Sequence, residues 1–388
     1  MRALEIALRL GSCFLPIAIV LATPACGLSE NANVPTVPPG FSIEVIAHVD
    51  GARELAAAPN GDLIVGTNGN SVYVIPDAEG MPGPAHVFVH LDDRRAAGVA
   101  LADGWLYIGT HLGVWRVPYH SGDRTAQAAP QKLAAVRTLV ENGHATTSVA
   151  AAGDTLYVSV GSSCNACEET DPTRATIQQL AVAGGAMRPK AVRIRNAIAL
   201  AVNPATGSLW AGVAGQDELE HGHPYEIFDD VSAHAGTVDY GWPYCYEDRR
   251  AAAPGHDCSA VAVSRAVFPA YDTPIGATFY PLHTTGAHAF PDSYRGGAFV
   301  ALHGSWHVPP VPPRVAFVPM HGDEPVTSVN WNDPSVQWSE FVGGFQQGFG
   351  WRIGRPTGVA VGVDGSVFVA DDQAGAVYRI RPLASNAR

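Results

Sequence analysis

The apolar positions of this chain fall in short runs separated by turn-forming residues. The commonest unit is a turn, often Asp/Asn-Gly, leading into Leu or an aromatic that alternates with Val or Ile. Examples are Asn60-Gly61-Asp62-Leu63-Ile64-Val65 and Asp364-Gly365-Ser366-Val367-Phe368-Val369, and further copies lie at 103–108, 153–158, 206–210 and 295–300. Most copies follow a run of small apolar residues, as at 55–58, 98–101, 198–202 and 358–361. Several precede a third run that ends in an aromatic or Arg, as at 71–75, 113–117 and 376–380. Alternation of period two bounded by Gly, Asn and Asp is a strand signal, and a repeated strand-turn-strand-turn-strand unit is a propeller blade. The first four copies start 43 to 53 residues apart, counted from Leu63, Leu106, Leu156 and Leu209, which is blade size. The last two gaps are longer, so the stretches near 217–270 and 306–350 are expected to carry long inserted loops. No stretch sustains a 3.6-residue apolar period, so helices should be scarce. The expectation is an all-β, six-bladed β-propeller with long loop insertions over residues 38–384, after a linker at 27–37.

In such a ring the inner strands line a central channel, and loops at its mouth form the binding site. The small-residue runs suit the inner position. The polar residues just before them, Arg94, His144, Arg195 and Arg355, are then expected at the mouth.

Composition adds two constraints. Charged residues are only 15 %, while 41 Gly and 30 Pro are spread along the chain, which suits many tight turns. A formal net charge of −12 offers no basic surface for nucleic acid, and that class of partner is set aside. The first 26 residues read as a targeting segment: Arg2 and Arg9 precede a mostly apolar run at 10–22, too short to span a bilayer. Ala25-Cys26 resembles a lipoprotein cleavage site with Cys26 as the first, lipidated residue, and plain signal cleavage is the alternative. Either way the protein is expected to be exported, periplasmic or membrane-anchored.

Export permits disulfides. Four cysteines remain beyond the leader, and their short spacings favour Cys164 with Cys167 and Cys245 with Cys258. A zinc site is the alternative. Glu168, not His, follows Cys167, which excludes covalent haem attachment.

Several residues could carry chemistry. His144 stands immediately ahead of a strand, and an imidazole is the usual base for a hydroxyl proton. It is also one of 15 histidines, any of which could be an ordinary loop residue. Arg195-Asn196 enters an inner strand, where a guanidinium beside an amide can hold a carboxylate or an oxyanion. The acidic loop at 217–226 is rich in the oxygen donors that Ca²⁺ prefers, without EF-hand spacing. Trp306 and Arg355 offer an indole face and a guanidinium to a flat anionic ligand. A solvated loop, a packed Trp and a surface Arg are the bland counterparts.

Taken together, His144, residues 161–165, Arg195-Asn196, Asp239-Tyr240-Gly241-Trp242-Pro243, His303-Gly304-Ser305-Trp306 and Gly354-Arg355-Pro356 resemble the glucose/sorbosone dehydrogenase family. The nearest branch is its L-sorbosone dehydrogenase-like and pyranose dehydrogenase group, over residues 38–382. These are exported six-bladed propellers that use pyrroloquinoline quinone (PQQ) and Ca²⁺. The resemblance implies that His144 takes a sugar hydroxyl proton while hydride passes to the quinone. It places Arg195 and Asn196 against the quinone, Tyr240 and Trp306 along the pocket, and Arg355 with Arg352 on the cofactor carboxylates. It puts Ca²⁺ on the backbone carbonyls of Glu220 and His221. It implies a sugar or polyol substrate and an external electron acceptor, a quinone or a cytochrome. The chain departs from the pattern at Glu220, where Gly is usual, at Gly143, where the glucose enzyme has Asp, and at Tyr271-Asp272, which replaces a His-Ser pair. Its two lysines, Lys132 and Lys190, match no cofactor lysine. A Ca²⁺-dependent lactonase-like hydrolase and a non-catalytic binding propeller are the competing readings.

Overall fold

The computed structural model describes residues 34–136, 143–220, 222–307, 309–348 and 350–383. Six antiparallel four-stranded sheets account for most of it, the third extended by a short parallel strand, Val238–Asp239. Their innermost strands are Ala52–Ala57, Gly98–Ala102, Val149–Ala152, Asn196–Val202, Pro274–Phe279 and Pro356–Val361, and define blades 1 to 6. Each packs on the next and the sixth packs on the first, so the ring closes. All six turn-led copies form the second strand of a blade: Leu63–Thr67, Trp105–Gly109, Thr155–Val160, Leu209–Ala214, Ala298–Leu302 and Val367–Asp371. The fold is the all-β six-bladed propeller that the pattern predicts.

The small residues of the inner strands answer to crowding around the axis. A Cβ on Gly276 would lie 2.0 Å from the carbonyl oxygen of Thr357, and one on Gly358 would lie 2.3 Å from that of Arg53. Further out, side chains of adjacent blades interdigitate in six separate apolar clusters, one per blade interface. The largest joins blades 5 and 6 through Tyr280, Phe290, Phe299, Phe341 and Phe345, with Phe41 packed against it. Removing such rings from water is worth about 1.5–3 kcal/mol apiece.

Blade 6 is assembled from both ends of the described chain. Phe41–His48 pairs antiparallel with Ala376–Pro382 and forms its outermost strand. The repeat pattern did not announce this role. An outer strand buries little, and Phe41–His48 accordingly lacks a clean apolar face.

The expected insertions near 217–270 and 306–350 need correction. They also contain the third and fourth strands of blades 4 and 5: Glu226–Asp230, Ala266–Phe268, Arg314–Val318 and Ser339–Val342. The loops proper lie between those strands. Helix is confined, among the described residues, to two single 3₁₀ turns, Val231–Ala233 and Asp292–Tyr294. No described helix is long and apolar enough to cross a membrane. The leader at 1–26, with Cys26, lies outside the described residues. Both cysteine pairs form disulfides, Cys164–Cys167 and Cys245–Cys258, which leaves none of these four sulfurs as a thiolate for zinc.

Candidate functional site

The residues that lead into the inner strands meet at one end of the channel. On blade 3, His144 is tied to the end of the second strand: its N–H donates to the Ser162 carbonyl (2.8 Å). Arg174 donates to the carbonyls of both His144 and Ser162. The imidazole Nδ1 lies 2.8 Å from Ser162 Oγ, and that hydroxyl also lies 2.8 Å from the Cys164 carbonyl oxygen. A carbonyl can only accept, so the single hydroxyl proton goes to Cys164 and Oγ must accept from Nδ1–H. The ring is thereby fixed with its proton on Nδ1 and a lone pair on Nε2, for which no partner exists among the described residues. Burial, with Arg195 and Arg174 nearby, pushes the His144 pKa down to about 4. At neutral pH it is an oriented, uncharged base.

Gly161 explains the closeness of this packing. A Cβ there would meet His144 Cβ at 2.6 Å and Asn196 Oδ1 at 2.7 Å, so glycine lets blades 3 and 4 bring these side chains together. Asn196, 4 % exposed, leaves its Oδ1 buried and without a hydrogen bond. Its neighbour Arg195 is also buried, and donates to Asn165 O (3.0 Å), Asn165 Oδ1 (2.8 Å) and Ala214 O (3.0 Å). Asn165 sits between the two sulfurs of the Cys164–Cys167 bridge, and its carbonyl also accepts from Trp242 Nε1. The small disulfide loop therefore serves both residues: Cys164 orients the base through Ser162, and Asn165 clamps the guanidinium.

From Arg195 a chain of polar contacts runs around the mouth. Its Nη2 is 3.6 Å from Asp217, whose other carboxylate oxygen is 3.5 Å from His307 Nε2. His307 stacks on Tyr271 at 3.8 Å between ring centroids. The adjoining Trp306 is 60 % exposed, with the Arg352 guanidinium 3.9 Å and that of Arg355 5.7 Å from its ring. Arg355 donates to the carbonyls of His303 and Gly304, and burial pulls its pKa down to about 10. Arg352 donates to Ser305 and Val311 carbonyls, and its Nη1 is buried without a partner among the described residues. His303 Nε2 is 3.0 Å from Asp372, which also receives Arg53 at 3.1 Å. Burial, against the pull of Asp372, takes His303 to about 4. Beside Arg53, Glu54 makes no hydrogen bond through its carboxyl among the described residues, and burial raises its pKa to about 8.

The mouth thus brings together His144, Arg195, Asn196, Trp306, Arg352 and Arg355. Tyr240 meets Arg195 from within the fold: it is buried in the apolar cluster between blades 3 and 4, where it lines a cavity with Arg195, Gly215 and Gln216. Its hydroxyl donates to Asp229. The Glu220 carboxylate turns outward to Arg250 and Tyr246, and its carbonyl accepts from His223 N–H (3.0 Å), so one lone pair is left over. His221 lies outside the described residues. The acidic group of this loop that reaches the mouth is Asp217.

Arg53, Asp372 and the part played by Asp217 were missed from sequence. Arg53 precedes Glu54 in an inner strand as Arg195 precedes Asn196, so aligning the repeats by their strand starts would have found it. Asp372 and the Arg174 bridge carry no local signal, because each acts on a partner remote in sequence.

No family model matches the chain. It is 21% identical over 371 residues to an uncharacterized protein of Borreliella burgdorferi, covering 90% of this chain and 92% of that one. Among solved structures it is similar to the holo PQQ domain of pyranose dehydrogenase from Coprinopsis cinerea. The TM-score is 0.76 at 18% identity, with 90% of this chain and 97% of that chain covered. The calcium structure of a family AA12 carbohydrate-active enzyme from Trichoderma reesei gives a TM-score of 0.74 at 17% identity, over 90% and 98% of the two chains. At these identities the likeness is one of fold.

Proposed function

We propose that this protein is an exported quinone-dependent dehydrogenase that oxidises a sugar or related polyol. One observation carries the reading. A neutral histidine whose Nε2 lone pair has no partner among the described residues shares a channel mouth with the guanidiniums of Arg53, Arg195, Arg352 and Arg355, in a protein of net charge −12. Clustered arginines and an exposed indole suit a flat ligand with several carboxylates, which describes PQQ. The orphaned Asn196 Oδ1 and Arg352 Nη1 are buried polar atoms that such a ligand or its water would satisfy. The C. cinerea structure is of a PQQ domain, which supports the assignment.

PQQ, when bound, supplies the two-electron acceptor. The chain's own residues do the rest. His144 Nε2 accepts the substrate hydroxyl proton as the carbon beneath it gives up hydride. Ser162 holds the tautomer, and Arg195 and Asn196 would hold the cofactor next to the base. Arg352 and Arg355 would bind its carboxylates, and the Trp306 indole would pack against it. Among the described residues, the donors expected for Ca²⁺ in this loop are one lone pair of the Glu220 carbonyl and the Asp217 carboxylate, already shared by Arg195 and His307, fewer than the about 6–8 oxygen ligands the ion takes. We propose that Ca²⁺ binds only together with the quinone. Two disulfides fit the oxidising compartment that the leader sequence implies.

The test is titration of the purified protein with PQQ, with and without Ca²⁺, followed by a dye-linked assay over a panel of sugars. Stoichiometric quinone binding and sugar-dependent dye reduction are expected. The variant His144→Gln should keep the quinone and lose turnover. Absence of quinone binding under every metal condition would refute the dehydrogenase.

A further inference from the structure

Every described arginine but three makes a hydrogen bond, an ion pair or a ring contact. The exceptions are Arg94, Arg95 and Arg188, and Arg188 lies on the outermost strand of blade 3. Arg94 and Arg95 lie instead on the loop that leads from the outer strand of blade 1 into the inner strand of blade 2, at the mouth end. We propose that these two side chains form an anion-binding subsite on the mouth, which selects a substrate carrying a carboxylate, a uronic or other sugar acid, over a neutral sugar. The proposal rests on the dehydrogenase reading for its reaction and adds only the substrate's remote charge.

The loop is built as a fixed platform. Asp93, buried beneath it, accepts from Thr110 Oγ1 (2.5 Å) and from Leu112 N–H (2.9 Å). The Arg94 carbonyl accepts from His111 N–H (3.2 Å), Ala96 N–H donates to Gly69 (2.8 Å), and the Ala96 carbonyl accepts from Thr67 N–H (2.8 Å). The backbone is thus anchored to blades 1 and 2 while both guanidiniums stay unanchored. Arg95 is held at φ 51°, in the left-handed region that a long side chain adopts at a conformational cost. Glycine or asparagine would fit that backbone better, so the turn itself gives no reason for an arginine there.

The local charge is unbalanced. Arg53 is near enough to Arg95 to work with burial in lowering its pKa. The carboxylate that acts on Arg95, Asp372, is already taken by Arg53, His303 and Asn68. An exposed guanidinium beside another, with no carboxylate bonded to it among the described residues, is a seat for an anion from solution.

Position separates this pair from most of the proposed cofactor contacts. Arg352, Arg355 and Trp306 belong to the loops of blades 5 and 6 and Arg195 to blade 4, while Arg53, on the inner strand of blade 1, is the one mouth arginine that lies beside Arg95. The loop of Arg94 and Arg95 opens blade 2, directly before blade 3, where His144 stands. A sugar with its reacting hydroxyl at His144 Nε2 can extend its far end over blade 2, away from the arginines of blades 5 and 6.

The experiment compares D-galacturonate with D-galactose in the wild type and in the Arg94→Gln/Arg95→Gln double variant. In the quinone-loaded protein the variant should lose roughly 10- to 100-fold in kcat/KM for galacturonate and keep its galactose rate and quinone affinity. The galacturonate preference of the wild type should fall with added salt. Equal losses on both sugars, a fall in quinone affinity, or no wild-type preference for the acid would each overturn the proposal. Calorimetry on the quinone-free protein separates this outcome from failure of the dehydrogenase reading. Galacturonate binding that the double variant abolishes supports the subsite even if no quinone binds. Binding that survives the substitutions, or none in the wild type, refutes it.

Discussion

Ser162→Ala is the sharpest probe of the base. Among the described residues the serine hydroxyl is the only acceptor for His144 Nδ1–H, at 2.8 Å, and it can accept because its own proton is given to Cys164. Alanine leaves a buried N–H without a partner, which costs about 1–3 kcal/mol. The ring can escape that cost by moving its proton to Nε2, the atom that must be bare to act as a base. At about 1.4 kcal/mol per factor of ten, kcat/KM should fall roughly 5- to 100-fold. The ceiling is the ~10⁴ seen where a hydrolase histidine is held in the wrong tautomer. Quinone affinity should not change, because Asn165 and Arg195 keep their contacts. Steady-state kinetics with a dye acceptor gives the rate, and ¹⁵N chemical shifts of the imidazole at neutral pH give the tautomer. A variant that turns over at the wild-type rate with Nδ1 still protonated would refute the role of Ser162. One that also loses the quinone would show a structural collapse instead.

Gly161→Ala should push His144 and Asn196 apart, since the added carbon has 2.6 and 2.7 Å where it needs more than 3; turnover should drop at least tenfold while circular dichroism stays native. Thermal stability should fall as pH rises from about 4.5 to 8. Glu54 and Glu226, raised to about 8 in the folded protein, and Asp272, raised to about 7, keep protons that the unfolded chain gives up above about 4 to 4.5, so the stability they contribute is lost between the unfolded and folded values. His144 and His303, near 4 when folded against about 6.5 unfolded, act the other way between pH 4 and 6.5, but two groups offset only part of three; a melting temperature that rises from pH 6.5 to 8 would contradict the assignment. Replacing Cys245 and Cys258 by Ser opens a loop with a sequence separation of 13 and should lower stability by about 3 kcal/mol in denaturant titrations, with quinone affinity retained. The same replacement at Cys164 and Cys167 should do the reverse, cutting turnover more than stability, because that bridge closes a short loop but places Asn165 and Cys164.

The blades were legible because each repeats one local rule: a glycine turn, then alternation that is buried on both faces. At Gly61 and Gly365 the turn takes φ values of 83° and 91°, as the Asn/Asp-Gly signal anticipates. Register could be read from the same rule, and so His144, Arg195 and Arg355 were placed at the mouth. What stayed hidden depends on contacts between elements far apart in the chain. Tyr240 sits in a conspicuous motif and lines a cavity beside Arg195, but its hydroxyl is drawn to Asp229, and no local pattern marks that pair. Asp217 and Glu220 are indistinguishable as acidic loop residues until Arg195 and Arg250 show which of them faces the channel.

The pairing of Phe41–His48 with Ala376–Pro382 has a bearing on how the protein is made. The first of these strands is made about 335 residues before its partner. At ~5–20 residues per second the interval is roughly 20–70 seconds. Throughout it, blade 6 is missing its middle, and blade 1 has no neighbour on one side. Early blades can pack in pairs as they emerge, but the circle has no partial form that hides its ends. A nascent chain of this kind therefore carries an open strand edge until the partner strand has been made, and depends on whatever shields that edge in the meantime.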